Sequence, residues 1–191
     1  FVGDVMFDVA LYLRKKSIKY DLNDFNINKE HFILCTVHRE ENTDNKDKLS
    51  AILKALGELS RSFKIVVPIH PRTKNRIKKF KLTHLTKNLN LIDPLSYNKM
   101  LFLLDKCSLL LTDSGGMQKE ALYFKTPCLT LRNETEWNET IEANINMLVG
   151  SDKKLIIKQA FKQVKSKFPR SFFPYGRGNA ADKIVEIISK L

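Results

Sequence analysis

The chain has 191 residues, with 33 Lys+Arg against 21 Asp+Glu for a formal charge of +12, and about 43% of its residues are hydrophobic. That is enough for one good-sized domain or two small ones. Ordinary apolar content and charges of mixed sign exclude a disordered tail and a coiled coil, and apolar runs such as Ser108-Leu-Leu-Leu are too short for a transmembrane helix.

In chain order, the first element is a buried strand over His31 to Val37, which is apolar and β-branched. A polar loop follows, with Glu40 and Glu41 read as its solvated start and Asn42 and Asp44 as caps of the next helix. Leu49, Ile52, Leu53, Leu56 and Leu59 then recur at helical spacing. Lys64 to Ile69 reads as a second strand, with a helix through Ile77 and Phe80 after it. Leu89 to Ile92 is a third strand, and Met100, Leu101 and Leu104 mark another helix. A fourth strand (108–112), a helix (117–124), a fifth strand (127–131) and a sixth (146–149) come next, and helices over 151–167 and 180–191 close the chain. This alternation, with short connections, predicts an α/β fold with a doubly wound, parallel, Rossmann-like sheet. Ligands of such sheets bind outside the carboxyl ends of the strands.

The charge is concentrated. Between Glu58 and Asp93 there are nine basic residues and no acid, and from Ser151 to Ser171 seven basic residues face Asp152 alone. Nucleic-acid binding calls for interleaved aromatics, and only Phe63 and Phe80 lie in the first segment. The excess is therefore read as the solvated faces of two helices, with no nucleic-acid or membrane partner expected; a basic RNA- or membrane-binding module is the rival. Phe1-Val-Gly-Asp has neither an initiator Met nor the order of a signal peptide, which fits an internal piece of a longer protein. Cys35, Cys107 and Cys128 read as buried thiols of a cytoplasmic protein without disulfides.

The residues after the strands carry the chemistry. Asp113-Ser114-Gly115-Gly116 joins an apolar strand to a helix, so free N–H groups at the helix start favour an anion such as a diphosphate. Glu120 lies about one turn further in, where a carboxylate can accept both hydroxyls of a ribose. The same residues also fit a plain tight turn with Glu120 serving the helix dipole. His38 suits acid/base work or donation to a leaving diphosphate, or is simply a strand-end histidine bonded to backbone; Arg39 can grip phosphate or carboxylate. His70, beside Pro71 and Arg72, repeats the placement. No metal-ligand spacing links these histidines to Glu or Cys, and no metal or cofactor is expected.

His38-Arg-Glu-Glu-Asn-Thr-Asp-Asn, Pro68-Ile-His-Pro-Arg-Thr, Ile92-Asp-Pro-Leu-Ser-Tyr, Leu111-Thr-Asp-Ser-Gly-Gly-Met-Gln-Lys-Glu-Ala, Pro127-Cys-Leu-Thr-Leu-Arg, Thr135-Glu136, Asn146-Met-Leu-Val-Gly and Pro174-Tyr-Gly-Arg-Gly-Asn-Ala occur in this order. In that order they closely resemble the non-hydrolysing UDP-N-acetylglucosamine 2-epimerases over essentially the whole chain. The resemblance implies the second, UDP-binding half of a glycosyltransferase-B-like two-domain fold. Residues 1–30 would hold the inter-domain segment and leading helix, 31–170 the Rossmann-like domain and 171–191 the closing helix.

By the same resemblance, Ser114, Gly115 and Gly116 would hold the diphosphate and Glu120 the ribose. The 94–100 loop, through Leu95 and Met100, would cradle uracil, and His38 would lie beside the reacting sugar. Arg39 and His70 match residues of a regulatory UDP-GlcNAc site, and Arg132 and Glu136 are further candidates for substrate or regulator. The implied reaction interconverts UDP-GlcNAc and UDP-ManNAc by removing the C2 proton, expelling UDP and re-adding it to the bound glucal. The first domain, a UDP-sugar and a homodimer of the full-length protein would be the partners. Two departures stand out: Trp137 where many members have arginine, and Met100 where some have a uracil-stacking aromatic. The donor-binding half of a UDP-sugar glycosyltransferase is the alternative.

Overall fold

The computed structural model describes residues 1–16, 20–28, 31–166, 168 and 172–190. Lys167, Ser171 and Leu191, at the expected element ends, lie outside them, as do the expected boundaries at 30 and 170. Among the described residues there are six strands: β1 (Phe32–Thr36), β2 (Lys64–Pro68), β3 (Asn90–Ile92), β4 (Leu109–Thr112), β5 (Cys128–Thr130) and β6 (Asn146–Leu148). All their pairings are parallel, in the order β3-β2-β1-β4-β5-β6. The helices are α1 (Val5–Lys16), α2 (Glu40–Thr43), α3 (Lys46–Leu59), α4 (Pro71–Lys79), α5 (Tyr97–Lys106), α6 (Gly115–Phe124), α7 (Asn138–Glu142), α8 (Lys153–Gln163) and α9 (Ala180–Ile188).

The period of two along each strand builds two cores. Ile33 and Cys35, Ile65 and Val67, and Leu109 and Leu111 join one cluster with α3, α4 and α8. Phe32 and Leu34, Val66 and Leu110 join the other with α1, α5 and α6. Both faces of the sheet are covered, which is why the strands read as continuous apolar runs. The three cysteines are buried and free, and burial pushes the Cys107 and Cys128 thiols up to about 12.

The chain order of the sheet reverses between β1 and β4, so the loops after these two strands diverge around a crevice. The basic side chains of α4 and α8 point largely to solvent, with Lys74, Lys78, Lys79, Lys154, Lys158 and Lys162 exposed. Their apolar residues, Ile77, Ile156 and Ala160, pack on the sheet face opposite α6. No described helix is long and apolar enough to cross a membrane.

Two local expectations fail. Glu40 and Glu41 begin the short helix α2. The cap of α3 is Asn45, whose Oδ1 accepts from the N–H groups of Asp47 and Lys48 at 3.0 Å. Asn42 is 2% exposed and its Nδ2 donates to Asp113 Oδ2 (3.1 Å) and to the Leu131 carbonyl (2.9 Å). Asp44 pairs with Arg72 and Arg76 at 2.7 and 2.8 Å, which pull its carboxyl down to about 2. Sequence spacing could not tell Asn42 from a cap because its partners directly follow β4 and β5. Asn42→Ala is predicted to cost about 2–3 kcal/mol, since buried acceptors lose their donor, against about 1 kcal/mol for Asn45→Ala, which removes an exposed cap. Urea midpoints compare them, and equal losses would refute the buried role.

Candidate functional site

The rim is organised by Asp113, the first residue after β4. It is fully buried, and its two carboxylate oxygens accept from the backbone N–H of His38 (3.1 Å each), the N–H of Arg39 (3.0 Å) and Asn42 Nδ2 (3.1 Å). The His38 Nδ1 lies 3.2 Å from Oδ1 of the same carboxylate. A buried carboxylate needs such donors, and here they all come from the loop after β1. The two neighbouring strand ends are thereby fixed to one another. With Nδ1 turned to Asp113, Nε2 of His38 has no protein partner among the described residues.

Beneath Asp113, Thr36 and Thr112 share a buried hydroxyl contact of 2.6 Å, and Thr112 Oγ1 accepts from the Ser114 N–H at 3.0 Å. Ser114 caps α6, its Oγ accepting from the Met117 N–H at 3.4 Å. The hydroxyl proton remains available to a ligand. The N–H groups of Gly115 and Gly116, at the first two helical positions, have no acceptor among the described residues. A Cβ on Gly116 would meet nothing within 4 Å. The helix start is therefore open to an anion on that side.

Glu120, 8% exposed, lies one turn along α6 on the Gly116 side and accepts from the Tyr97 hydroxyl at 2.7 Å. Burial raises its pKa, against the lowering effects of Tyr97 and Lys119. Tyr97 opens α5 at the end of the 94–96 loop, so the Glu120 carboxylate and that loop are joined by one hydrogen bond. Beside them is a cavity of about 240 Å³, lined by His38, His70, Leu95, Met100, Ser114 and Met117 among others. His70 caps α4, its Nδ1 accepting from the Arg72 N–H at 3.2 Å, and its ring lies 6.3 Å from that of His38.

On the other side of the helix start, a Cβ on Gly115 would approach Glu136 Oε2 (3.4 Å), Arg39 Nη2 (3.8 Å) and Trp137 Nε1 (3.8 Å). Trp137 Nε1 donates to the Gly115 carbonyl at 2.8 Å. Arg132 is 5% exposed, with Nη1 donating to both oxygens of Glu136 (3.0 and 3.1 Å) and Nε 3.3 Å from Glu41. Its guanidinium is thus engaged in fastening the loop after β5 to that after β1. The Glu136 carboxyl is lowered by its own backbone N–H first and then by Arg132. Among the described residues, no group of three or more His, Cys, Asp and Glu is placed to hold a metal ion.

The candidate site residues named from the sequence lie after the strands on one rim of the sheet, with Leu95, Met100, Glu120 and His70 on one flank and Arg39, Arg132 and Glu136 on the other. Sequence reasoning quoted Asp113 within its motif but gave its carboxylate no role, and it missed the roles of Asn42, Tyr97 and Lys119. For Asp113 a signal existed: an acid directly after a wholly apolar strand must find donors out of water.

The sheet order and the open helix start define a doubly wound α/β protein whose candidate site lies at the carboxyl ends of its strands. The sequence profile of the UDP-N-acetylglucosamine 2-epimerases matches residues 1–189, and the chain belongs to that family. A UDP-N-acetylglucosamine 2-epimerase homolog of Methanococcus maripaludis is 43% identical over the whole of this chain and 54% of its own length. The UDP-2,3-diacetamido-2,3-dideoxy-D-glucuronate 2-epimerase of Pseudomonas aeruginosa is 38% identical, with 52% of its length covered. The structure of UDP-GlcNAc 2-epimerase from Methanocaldococcus jannaschii superposes with a TM-score of 0.92 at 36% identity, covering all of this chain and 55% of that one. The same enzyme in complex with UDP-GlcNAc and UDP gives 0.87 at 37% identity. The chain spans about half the length of the relatives it matches.

Two stability outcomes follow from the geometry. Gly116→Ala is expected to raise the melting temperature of the ligand-free chain, by up to about 1 kcal/mol of helix propensity, because the methyl meets no neighbour. Glu120 binds its proton more tightly folded than unfolded. Its stabilising contribution is therefore full below the ordinary Glu range and lost as pH rises through the raised value. Glu120→Gln should accordingly gain stability relative to wild type between pH 5 and pH 8 (about one proton's linkage), read from urea midpoints at both; no pH dependence of the difference would contradict the assignment.

Proposed function

We propose that this chain is the UDP-binding half of a UDP-N-acetylglucosamine 2-epimerase, interconverting UDP-GlcNAc and UDP-ManNAc by elimination and re-addition of UDP. The observation that carries this reading is the α6 start. Two glycine N–H groups with no acceptor among the described residues and the Ser114 hydroxyl stand at the start of the helix that carries Glu120, and Ser114 lines a cavity edged by Leu95 and Met100. Diphosphate at the N–H groups puts ribose at Glu120 and the base against Leu95 and Met100, where Met100 supplies van der Waals contact in place of ring stacking.

The C2 proton of an N-acetylhexosamine is weakly acidic, so its removal needs the diphosphate to leave in concert. Donors aimed at the diphosphate stabilise the charge it gains. In this chain they are the Gly115 and Gly116 N–H groups, with Arg39 and the outer nitrogen of His38 nearby. Asp113 holds Nδ1 of the His38 imidazole and leaves Nε2 without a protein partner among the described residues, so that the imidazolium form can donate from Nε2 to departing phosphate. Glu120 and Glu136 are both already partnered by protein groups, so the acid and base acting on C2 are assigned to the other half of the two-domain protein. That half, a homodimer of the full-length enzyme, a role in cell-surface polysaccharide synthesis and a cytoplasmic location complete the reading.

UDP at millimolar concentration is expected to raise the melting temperature of this chain, while inorganic polyphosphate of equal charge is not; equal protection by both would reject the nucleotide reading. Gly116→Ala and Glu120→Gln should each weaken UDP binding by about tenfold or more, the first by placing a methyl where phosphate approaches. UDP affinity of the wild type should also fall on acidification as Glu120 takes up its proton. With both halves present, solvent deuterium should enter C2 of UDP-GlcNAc, and its absence would exclude the epimerase.

A further inference from the structure

We propose that Trp137 is the platform for the hexosyl group of the bound nucleotide sugar, and so a specificity-determining residue of this site. The proposal rests on the reading of the chain as a UDP-sugar-binding half. It follows from the two sides of α6. Gly116 and Glu120, four residues apart, share the side turned to Tyr97 and the 94–96 loop, where nucleoside belongs. Gly115 and Lys119, also four apart, share the side turned to Trp137. A diphosphate on the Gly115 and Gly116 N–H groups has its nucleoside leaving toward Glu120. The group on its other end then leaves toward Gly115, where Trp137, Glu136 and Arg39 converge.

The indole is held in place from several directions. Its N–H donates to the Gly115 carbonyl at 2.8 Å, the Lys119 ammonium lies 4.4 Å from the ring centroid, and the Tyr175 ring stands against it at 5.5 Å and 77°. Each of these partners is itself anchored. Lys119 pairs with Asp4, Tyr123 donates to the same carboxylate at 2.6 Å, and Tyr175 donates to Glu139 at 2.7 Å. The Trp137 backbone N–H donates to Thr135 Oγ1 (3.1 Å), which donates to Gln118 Oε1 (2.6 Å), itself held by Asn146 Nδ2 (3.1 Å). Despite these restraints the residue stays partly exposed. A rigid, partly exposed aromatic beside a phosphate site suits the C–H face of a pyranose, because ordering it again on binding costs little. The cation behind the ring adds to its fixation without competing for the diphosphate, since Asp4 neutralises it.

Trp137 is the single tryptophan of the chain, which makes the test direct. UDP and UDP-GlcNAc are titrated calorimetrically into the wild-type chain, and acrylamide quenching of the tryptophan is measured at saturation with each. UDP-GlcNAc should cut the quenching constant by about half or more while UDP leaves it nearly unchanged. Trp137→Ala should lose about tenfold in UDP-GlcNAc affinity and keep its UDP affinity within about twofold, with Trp137→Phe intermediate; the phenylalanine variant serves if alanine unfolds the loop. Equal shielding by both ligands, shielding by neither, or equal loss of both affinities in the variants would overturn the platform while leaving the nucleotide reading intact. Failure of the wild type to bind UDP at all would overturn that reading, and the platform with it.

Discussion

The site depends on one buried carboxylate. Asp113 stands at the end of the central strand β4 with no exposure to water, and the charge is tolerable only because the loop after β1 brings four donor contacts to it. The dependence runs both ways. The backbone of His38 and Arg39 is set by Asp113, and the Ser114–Gly116 turn begins on the next peptide. The helix start that faces a ligand and the histidine that overlooks it are therefore two ends of one hydrogen-bonded unit. Removing either partner would leave buried donors or a buried charge unmatched, a loss of about 3–5 kcal/mol.

From this unit the two flanks of the site diverge. On one, Tyr97 links Glu120 to the loop after β3; on the other, Trp137 and Arg132 bind the loop after β5 to α6 and to the loop after β1. On the proposed reading, the two dissimilar flanks would take the base and the hexose at opposite ends of a diphosphate. The formal charge of +12 takes no large part in this. Its exposed lysines on α4 and α8 belong to helices packed on the far face of the sheet, and Arg132, the most buried cation of the rim, is surrounded by Glu41, Glu134 and Glu136.

Strand and helix alternation, the sheet type and the rim on which the candidate site residues gather were legible from periodicity and from the polar residues after each apolar run. Local signals also sufficed for the Ser114 cap and the free glycine N–H groups, since both depend on neighbours in sequence. What escaped were pairings between distant segments. Asn42 looked like a cap because its acceptors, Asp113 and the Leu131 carbonyl, are 71 and 89 residues away. Tyr97 stood within a recognised motif, yet its tie to Glu120 requires α5 and α6 to be packed side by side. Trp137 registered only as a departure from the family pattern; its hydrogen bond to Gly115 shows that the indole is built into the helix start.

On the proposed reading, a nucleotide diphosphate sits on the N terminus of α6. Amide chemical shifts measure this directly, because the chain has only seven glycines and their resonances are readily assigned. On titration with UDP, the Gly115 and Gly116 amide protons should move downfield together as they donate to phosphate, with Tyr97 and Met100 following. Perturbations confined to the lysines and arginines of α4 or α8, with Gly115 and Gly116 unmoved, would contradict the account.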